Sequence, residues 1–181
     1  KVLGPDINES QNGFAVNAKG EIRFGFSGLK GVGENAIQHI IEERNRNGNY
    51  THLQDFIERI KPGIEQLNIL IRIGAFRFTG RTKKELLWDI HMLIGKERKT
   101  AARNELFDTG VKTYTLPALD QKPLDDAFDE IELLGFALRS PFDLLKDESK
   151  VLLKNLAADL PKFIGKRIEI VGYMVTSKYT S

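Results

Sequence analysis

The chain has 181 residues, 41% of them hydrophobic, and 27 Lys and Arg against 25 Asp and Glu give a formal net charge of +2. This composition can build a core and argues against global disorder. With no cysteine, disulfides and thiolate metal sites are excluded, and no apolar run or leader has the length and pattern of a membrane span or signal peptide. The chain begins without Met and stops in what reads as a strand, as a piece of a longer protein would. Its charges are uneven: residues 61–112 hold 11 basic and 6 acidic residues, whereas 113–150 hold 4 and 9. A basic middle beside an acidic stretch is the footprint expected for a polyanion partner; ordinary surface solvation gives the same counts.

Residues 1–12 read as irregular, with Gly4-Pro5-Asp6 and Asn8 as turn formers. Phe14–Val16 and Glu21–Phe24 bracket Asn17–Gly20 as a β-hairpin that would present Lys19 or Arg23 to the segment after it. That segment, Lys30-Gly31-Val32-Gly33, precedes an amphipathic helix over 34–47 with Ala36, Ile37, Ile40 and Ile41 on one face. Glycines allow a tight turn and close approach, and the helix N-terminus behind them offers unpaired N–H groups to an anion. Val32 would pin the turn to the core. This is the chemistry of a helix-hairpin-helix element that grips nucleic-acid phosphate without reading sequence. Gly31-x-Gly33-x-x-Ala36 with Asp55 downstream also fits a loose dinucleotide fingerprint, but Ser27–Lys30 intervenes where that fingerprint needs a strand. A ligand-free glycine turn is the third reading.

Thr51, with Gln54 as capping box, opens the next predicted helix, whose buried face is Leu53, Phe56, Ile57 and Ile60; Pro62-Gly63 breaks it. Ile64–Ile73 is predicted as a helix with Leu67, Leu70 and Ile71 inward, ending at Gly74-Ala75-Phe76 amid Arg72, Arg77 and Arg81. Thr82 with Glu85 caps a further helix through Ile94, with Trp88 expected in the core. Lys83 and Lys84 sit on its first turn, where the helix dipole disfavours cations and an anion would offset the cost. Residues 24–95 thus read as two copies of helix, glycine hairpin, helix, the second centred on Gly74. Pairs of this kind match the near-symmetry of a duplex.

Val2–Ser10, then Gly28-Leu-Lys-Gly-Val-Gly33, Gly74-Ala-Phe76, Arg81 with Leu86-Leu87, and Glu132–Phe142 together resemble the alpha subunit of bacterial DNA polymerase III, over nearly the whole chain. One departure is that Ser140 stands where that family commonly has a His before the proline, here Pro141. The resemblance implies a mainly α piece: the end of the fingers with the β-hairpin (1–27), a tandem helix-hairpin-helix domain (28–95), a linker (96–122), an acidic helical connector (123–160) and the first strand of a truncated OB-fold (161–181). It implies double-stranded primer-template DNA as partner, bound by Lys30, Gly31, Val32 and Gly33 on one strand and by Arg72, Gly74, Arg77, Arg81, Thr82, Lys83 and Lys84 on the other. Arg103–Phe107 is similar to the peptide with which that family binds the sliding clamp, Leu106 and Phe107 being its anchors; packing on the domain's own surface is the alternative. The polymerase acids and their Mg²⁺ are implied to lie on a palm domain upstream, leaving this piece without catalytic residues, cofactor or metal. The setting implied is the bacterial cytoplasm at the nucleoid.

In the acidic connector, Pro123–Leu134 is predicted as a helix with Phe128, Ile131 and Leu134 inward and Asp125, Asp126, Asp129, Glu130 and Glu132 in solvent. Short helices follow from Ser140 and over Val151–Leu156, then an alternating strand over Lys166–Val175. His39, His52 and His91 have no metal-site spacing.

Overall fold

The computed structural model describes residues 1–102, 123–154 and 157–174. Two compact units divide at Leu138/Arg139. Among the described residues the first holds a three-stranded sheet, β1 (Val2–Leu3), β2 (Ala15–Val16) and β3 (Ile22–Arg23), and the α-helices α1 (Glu34–Asn47), α2 (Leu53–Ile60), α3 (Ile64–Arg72), α4 (Lys83–Ala102) and α5 (Pro123–Leu134). The predicted hairpin forms, with Val16 opposite Ile22 and Ala15 opposite Arg23. Unforeseen is β1, which pairs with β3 in parallel.

Residues 5–10 do not behave as an irregular arm. Pro5 and Ile7 are wholly buried, and Ile7 N–H donates to Ala75 O at 3.0 Å. Arg44, buried on α1, donates to the carbonyls of Ile7 and Ser10 at 2.8 and 2.9 Å; burial lowers its pKa from the ordinary guanidinium value. Asn8 and Tyr50 exchange side-chain–backbone bonds at 2.9 and 2.8 Å, and Tyr50 OH donates to Ile40 O at 2.9 Å. Buried backbone polar groups need partners, and here α1 and the α1–α2 loop supply them, so the segment becomes part of the core.

That core is built from Phe26, Ile37, Ile40, Ile41, Leu53, Phe56, Leu67, Leu70 and Ile71 with Leu86 and Ile90 of α4. α1 has the predicted bounds and ends at Gly48, φ +83°. α2 is capped one residue later than expected: His52 Nδ1 accepts from Asp55 N–H at 3.0 Å, while Thr51 bonds the Asp55 carboxylate. Gln54 instead reaches Glu58. The Thr82–Glu85 capping box forms as predicted, with Thr82 N–H to Glu85 Oε2 at 2.7 Å and Glu85 N–H to Thr82 Oγ1 at 3.3 Å.

Four expectations are corrected. α4 continues through Ala102 into the expected linker, because Lys96–Ala102 contains good helix formers and no Pro or Gly. Trp88 is 45% exposed, since Leu86 and Ile90, four apart, take the inward face and leave Trp88 on the other side. α5 has its predicted bounds but packs on a different face: Ala127, Glu130, Leu133 and Leu134 are buried while Phe128 is 63% exposed. It belongs to the first unit rather than to a separate connector, because its acids meet basic partners on α3 and α4.

Among its described residues the second unit contains 3₁₀ turns at Pro141–Leu144, Val151–Lys154 and Ala157–Phe163 and one α turn, α6 (Asp147–Lys150). Ser140 Oγ accepts from Phe142 N–H at 3.3 Å, the expected start. Residues 166–174, expected as a strand, pair with no strand among the described residues. A strand is defined by its ladder, and alternation alone does not provide a neighbour in register.

Candidate nucleic-acid interface

The first glycine turn has the predicted geometry. Gly31 adopts φ +85° and is exposed; Val32, 8% exposed, pins the turn to the core. Gly33 is the N-cap of α1 at φ −68°, ψ 149°, with no side chain to satisfy the helix end. The N–H groups of Gly33, Glu34 and Asn35 have no acceptor among the described residues. Lys30 is exposed beside them, and its own N–H donates to Leu133 O at 3.2 Å, which ties the turn to α5. A Cβ on Gly31 would lie 2.7 Å from Ile69 Cδ1, whereas one on Gly33 would meet nothing within 4 Å. The fold therefore requires glycine at 31 and not at 33.

The second copy lies elsewhere than Gly74. The structure repeats itself at an offset of 30 residues: Phe26 matches Phe56, Ile37 matches Leu67, and Ile40 and Ile41 match Leu70 and Ile71, all buried. At the same offset Lys61 takes the left-handed place of Gly31, φ +50°, ψ +52°, and Gly63 caps α3 at φ −62°, ψ 150° as Gly33 caps α1. The N–H groups of Ile64 and Glu65 have no acceptor among the described residues, and Gly63, too, has room for a Cβ, with Gln66 Oε1 3.8 Å away. Lys61-Pro62-Gly63 is thus a second candidate turn, one that the sequence alone does not single out. Its Pro-Gly pair reads as a helix breaker, and only the 30-residue repeat in the apolar residues reveals it.

Gly74 instead closes α3, as the left-handed residue just after its C-cap, Ile73. It is buried at φ +75°, its N–H donates to Ile71 O and that of Ala75 to Leu70 O, both at 2.9 Å, which is a Schellman closure. Those amides are paired inside the protein and offer nothing to a phosphate. Most of the expected cations around it have partners as well. Arg72 reaches Asp129 at 2.8 Å and also pairs with Glu132. Lys83 reaches Asp126 at 2.7 Å and Asp129 at 3.2 Å, Lys84 reaches Asp125 at 3.7 Å, and Arg81 pairs with Asp89. Thr82 spends its hydroxyl on Glu85. The anion that two lysines on a first turn call for is supplied by α5. The Arg72 guanidinium holds the Glu132 carboxyl below its ordinary value, and Glu132 in turn raises Arg72. Arg77 stands apart, exposed and without an acceptor among the described residues.

Arg23, expected near the turn, is bonded to Gly4 O and paired with Glu9. Leu106 and Phe107 lie outside the described residues. His39 and His91 are exposed. Among the described residues no group of three or more His, Asp or Glu could hold a metal ion, and no helix is long and apolar enough to cross a membrane.

Comparison with known proteins agrees with this fold. A helix-hairpin-helix motif family matches residues 1–86. DNA polymerase III subunit alpha of Chlamydia trachomatis is 37% identical over 163 residues, covering 87% of this chain and 12% of that protein. The Helicobacter pylori subunit is 35% identical over 209 aligned positions, covering 98% and 17%, and that of Aquifex aeolicus 33% over 159, covering 86% and 13%. The chain thus spans only about 12 to 17% of the length of these curated relatives. Matching them from its first turn through α5, the chain belongs, as a segment, to the DNA polymerase III alpha-subunit family.

Proposed function

We propose that this segment is a sequence-independent double-stranded DNA-binding portion of a replicative polymerase, holding the duplex by its phosphates. One observation carries the reading: at both ends of the 30-residue repeat a glycine N-cap leaves helix-terminal amides without acceptors, although neither glycine is required by the fold. Such ends attract anions, and glycine lets a phosphate approach the main chain. Lys61 supports the same reading. A non-glycine residue in the left-handed region costs about 1–2 kcal/mol, and a lysine placed there brings a charge to the turn. Glu34 and Glu65, on the first turns of α1 and α3, oppose an anion and keep each contact weak. In the whole protein, polymerisation and its Mg²⁺ belong to a palm domain outside this segment, and this part keeps the enzyme on primer-template in the bacterial cytoplasm.

The test is fluorescence anisotropy with a duplex of random sequence. Binding by the isolated chain is expected at about 10⁻⁴–10⁻⁶ M and to weaken steeply with salt. Lys30→Glu and Lys61→Glu should each weaken it on every sequence alike. Equal affinity of both variants and the parent chain, or binding that ignores salt, would overturn the reading.

A further inference from the structure

A cleft of about 300 Å³ opens between the Gly74 turn and the start of α4, lined among others by Arg77, Gly80, Arg81, Lys83 and Asp126. Two of its cations are answered, Arg81 by Asp89 and Lys83 by Asp126 and Asp129. Arg77 has no carboxylate or carbonyl acceptor among the described residues, and its guanidinium lies against two glycines. A Cβ on Gly74 would lie 2.7 Å from Cζ and 2.8 Å from Nη2, and a Cβ on Gly4 would lie 2.7 Å from Nη1. The left-handed conformation that closes α3 explains the glycine at 74. Gly4 has no positive φ, so its missing side chain is explained by the room that Arg77 and Leu138 Cδ1, 3.1 Å from the same point, take up.

A planar guanidinium seated against two bare Cα positions and open to a basic cleft suits a tetrahedral oxyanion, because its fork matches phosphate geometry. We propose that this cleft is a phosphate site, with Arg77 as its binding cation, Gly4 and Gly74 as the residues that position it, and Asp126 as the carboxylate an arriving phosphate displaces from Lys83. The site differs from the two helix-end turns in using side chains rather than amides. It rests on the duplex-binding reading only for one of its two phosphate sources, a DNA phosphodiester or a free phosphate.

Two measurements on the 181-residue chain test it. In the first, inorganic phosphate at fixed ionic strength, balanced with chloride, should raise the melting temperature. The rise should vanish in Arg77→Gln and in Gly4→Ala, and grow in Asp126→Asn. In the second, loss of one phosphate contact in Arg77→Gln should lower the log–log salt slope of duplex binding by about 0.9, so that the affinity ratio between 50 and 200 mM salt shrinks roughly 3.5-fold. Loss of both signals in Arg77→Gln supports the site with DNA as its source. Loss of phosphate protection alone supports it with free phosphate as source. Both signals intact in Arg77→Gln would overturn it, whatever Lys30→Glu does. Should the parent chain bind no duplex, the function reading fails and phosphate protection alone decides the cleft.

Discussion

The two glycines of the first turn should separate stability from binding. Gly31 sits at φ +85°, where an L-residue costs about 1–2 kcal/mol. Alanine there would also push Ile69 Cδ1, 2.7 Å from the new carbon, off its rotamer, for roughly 0.5–1.5 kcal/mol. Reduced freedom of the unfolded chain returns about 0.4–1 kcal/mol, so Gly31→Ala should destabilise by about 2 kcal/mol. Gly33→Ala meets open space at an ordinary φ. The unfolded-state gain and the poorer N-cap nearly cancel, and the change should stay within about 0.5 kcal/mol. Gly33→Ser should stabilise by about 0.5–1 kcal/mol, because its hydroxyl can accept from the free Asn35 N–H. If the helix end receives phosphate, that same hydroxyl and its carbon stand in the way, and Gly33→Ser should bind duplex more weakly while melting later. Urea titration followed by far-UV circular dichroism, paired with anisotropy on the same samples, reads both quantities. Gly33→Ala unfolding as readily as Gly31→Ala, or Gly33→Ser binding duplex as the parent does, would refute the reasoning.

Removing the doubly paired carboxylate in Asp129→Asn should cost about 1–2 kcal/mol in the same titration, between the worth of exposed and buried pairs. Acid should act in the same direction. Arg72 holds Glu132, and the Thr82 backbone N–H holds Glu85, below the ordinary glutamate value, so their stabilisation is present above the unfolded pKa, about 4.3, and is lost as pH falls through the lower folded values. Asp6 runs oppositely, raised by burial, and favours the fold as it protonates; a urea midpoint that does not fall between pH 5 and pH 3, or that falls equally in Glu132→Gln, would contradict the assignment.

What could be read from the sequence follows the range of the interactions. α1 and the bounds of α5 were legible because a 3.6-residue apolar period and a glycine stop act within one helix. So was the Lys30–Gly33 turn, whose chemistry is contained in four residues. Arg44, by contrast, lies on the buried side of α1 and reads as a surface charge until the carbonyls of Ile7 and Ser10 are brought to it. The face of α5 was misjudged for the same reason. Hydropathy sends Phe128 inward and Asp129 outward, and the guanidinium of Arg72 and the ammonium of Lys83 reverse that preference. The second turn escaped because Pro62-Gly63 carries no hallmark of a ligand site, whereas the small-residue Gly74 bend, a helix stop ringed by arginines, resembles one.

The placement of acids gives the basic middle of the chain a meaning that its charge count does not. Arg72, Lys83 and Lys84 are drawn onto α5, while Lys30, Lys61 and Arg77 have no carboxylate partner among the described residues. Counterion release scales with the cations that actually meet phosphate rather than with the total. Each of those three side chains also lies next to a backbone bend: Lys30 beside Gly31, Lys61 in the left-handed position itself, Arg77 against Gly74. A salt slope near three contacts, falling by about one with each of the three replaced, is what this arrangement predicts; a slope near seven, unmoved by them and lowered by Arg72→Gln or Lys84→Gln, would mean that α5 lets go of Arg72 and Lys84 when DNA arrives.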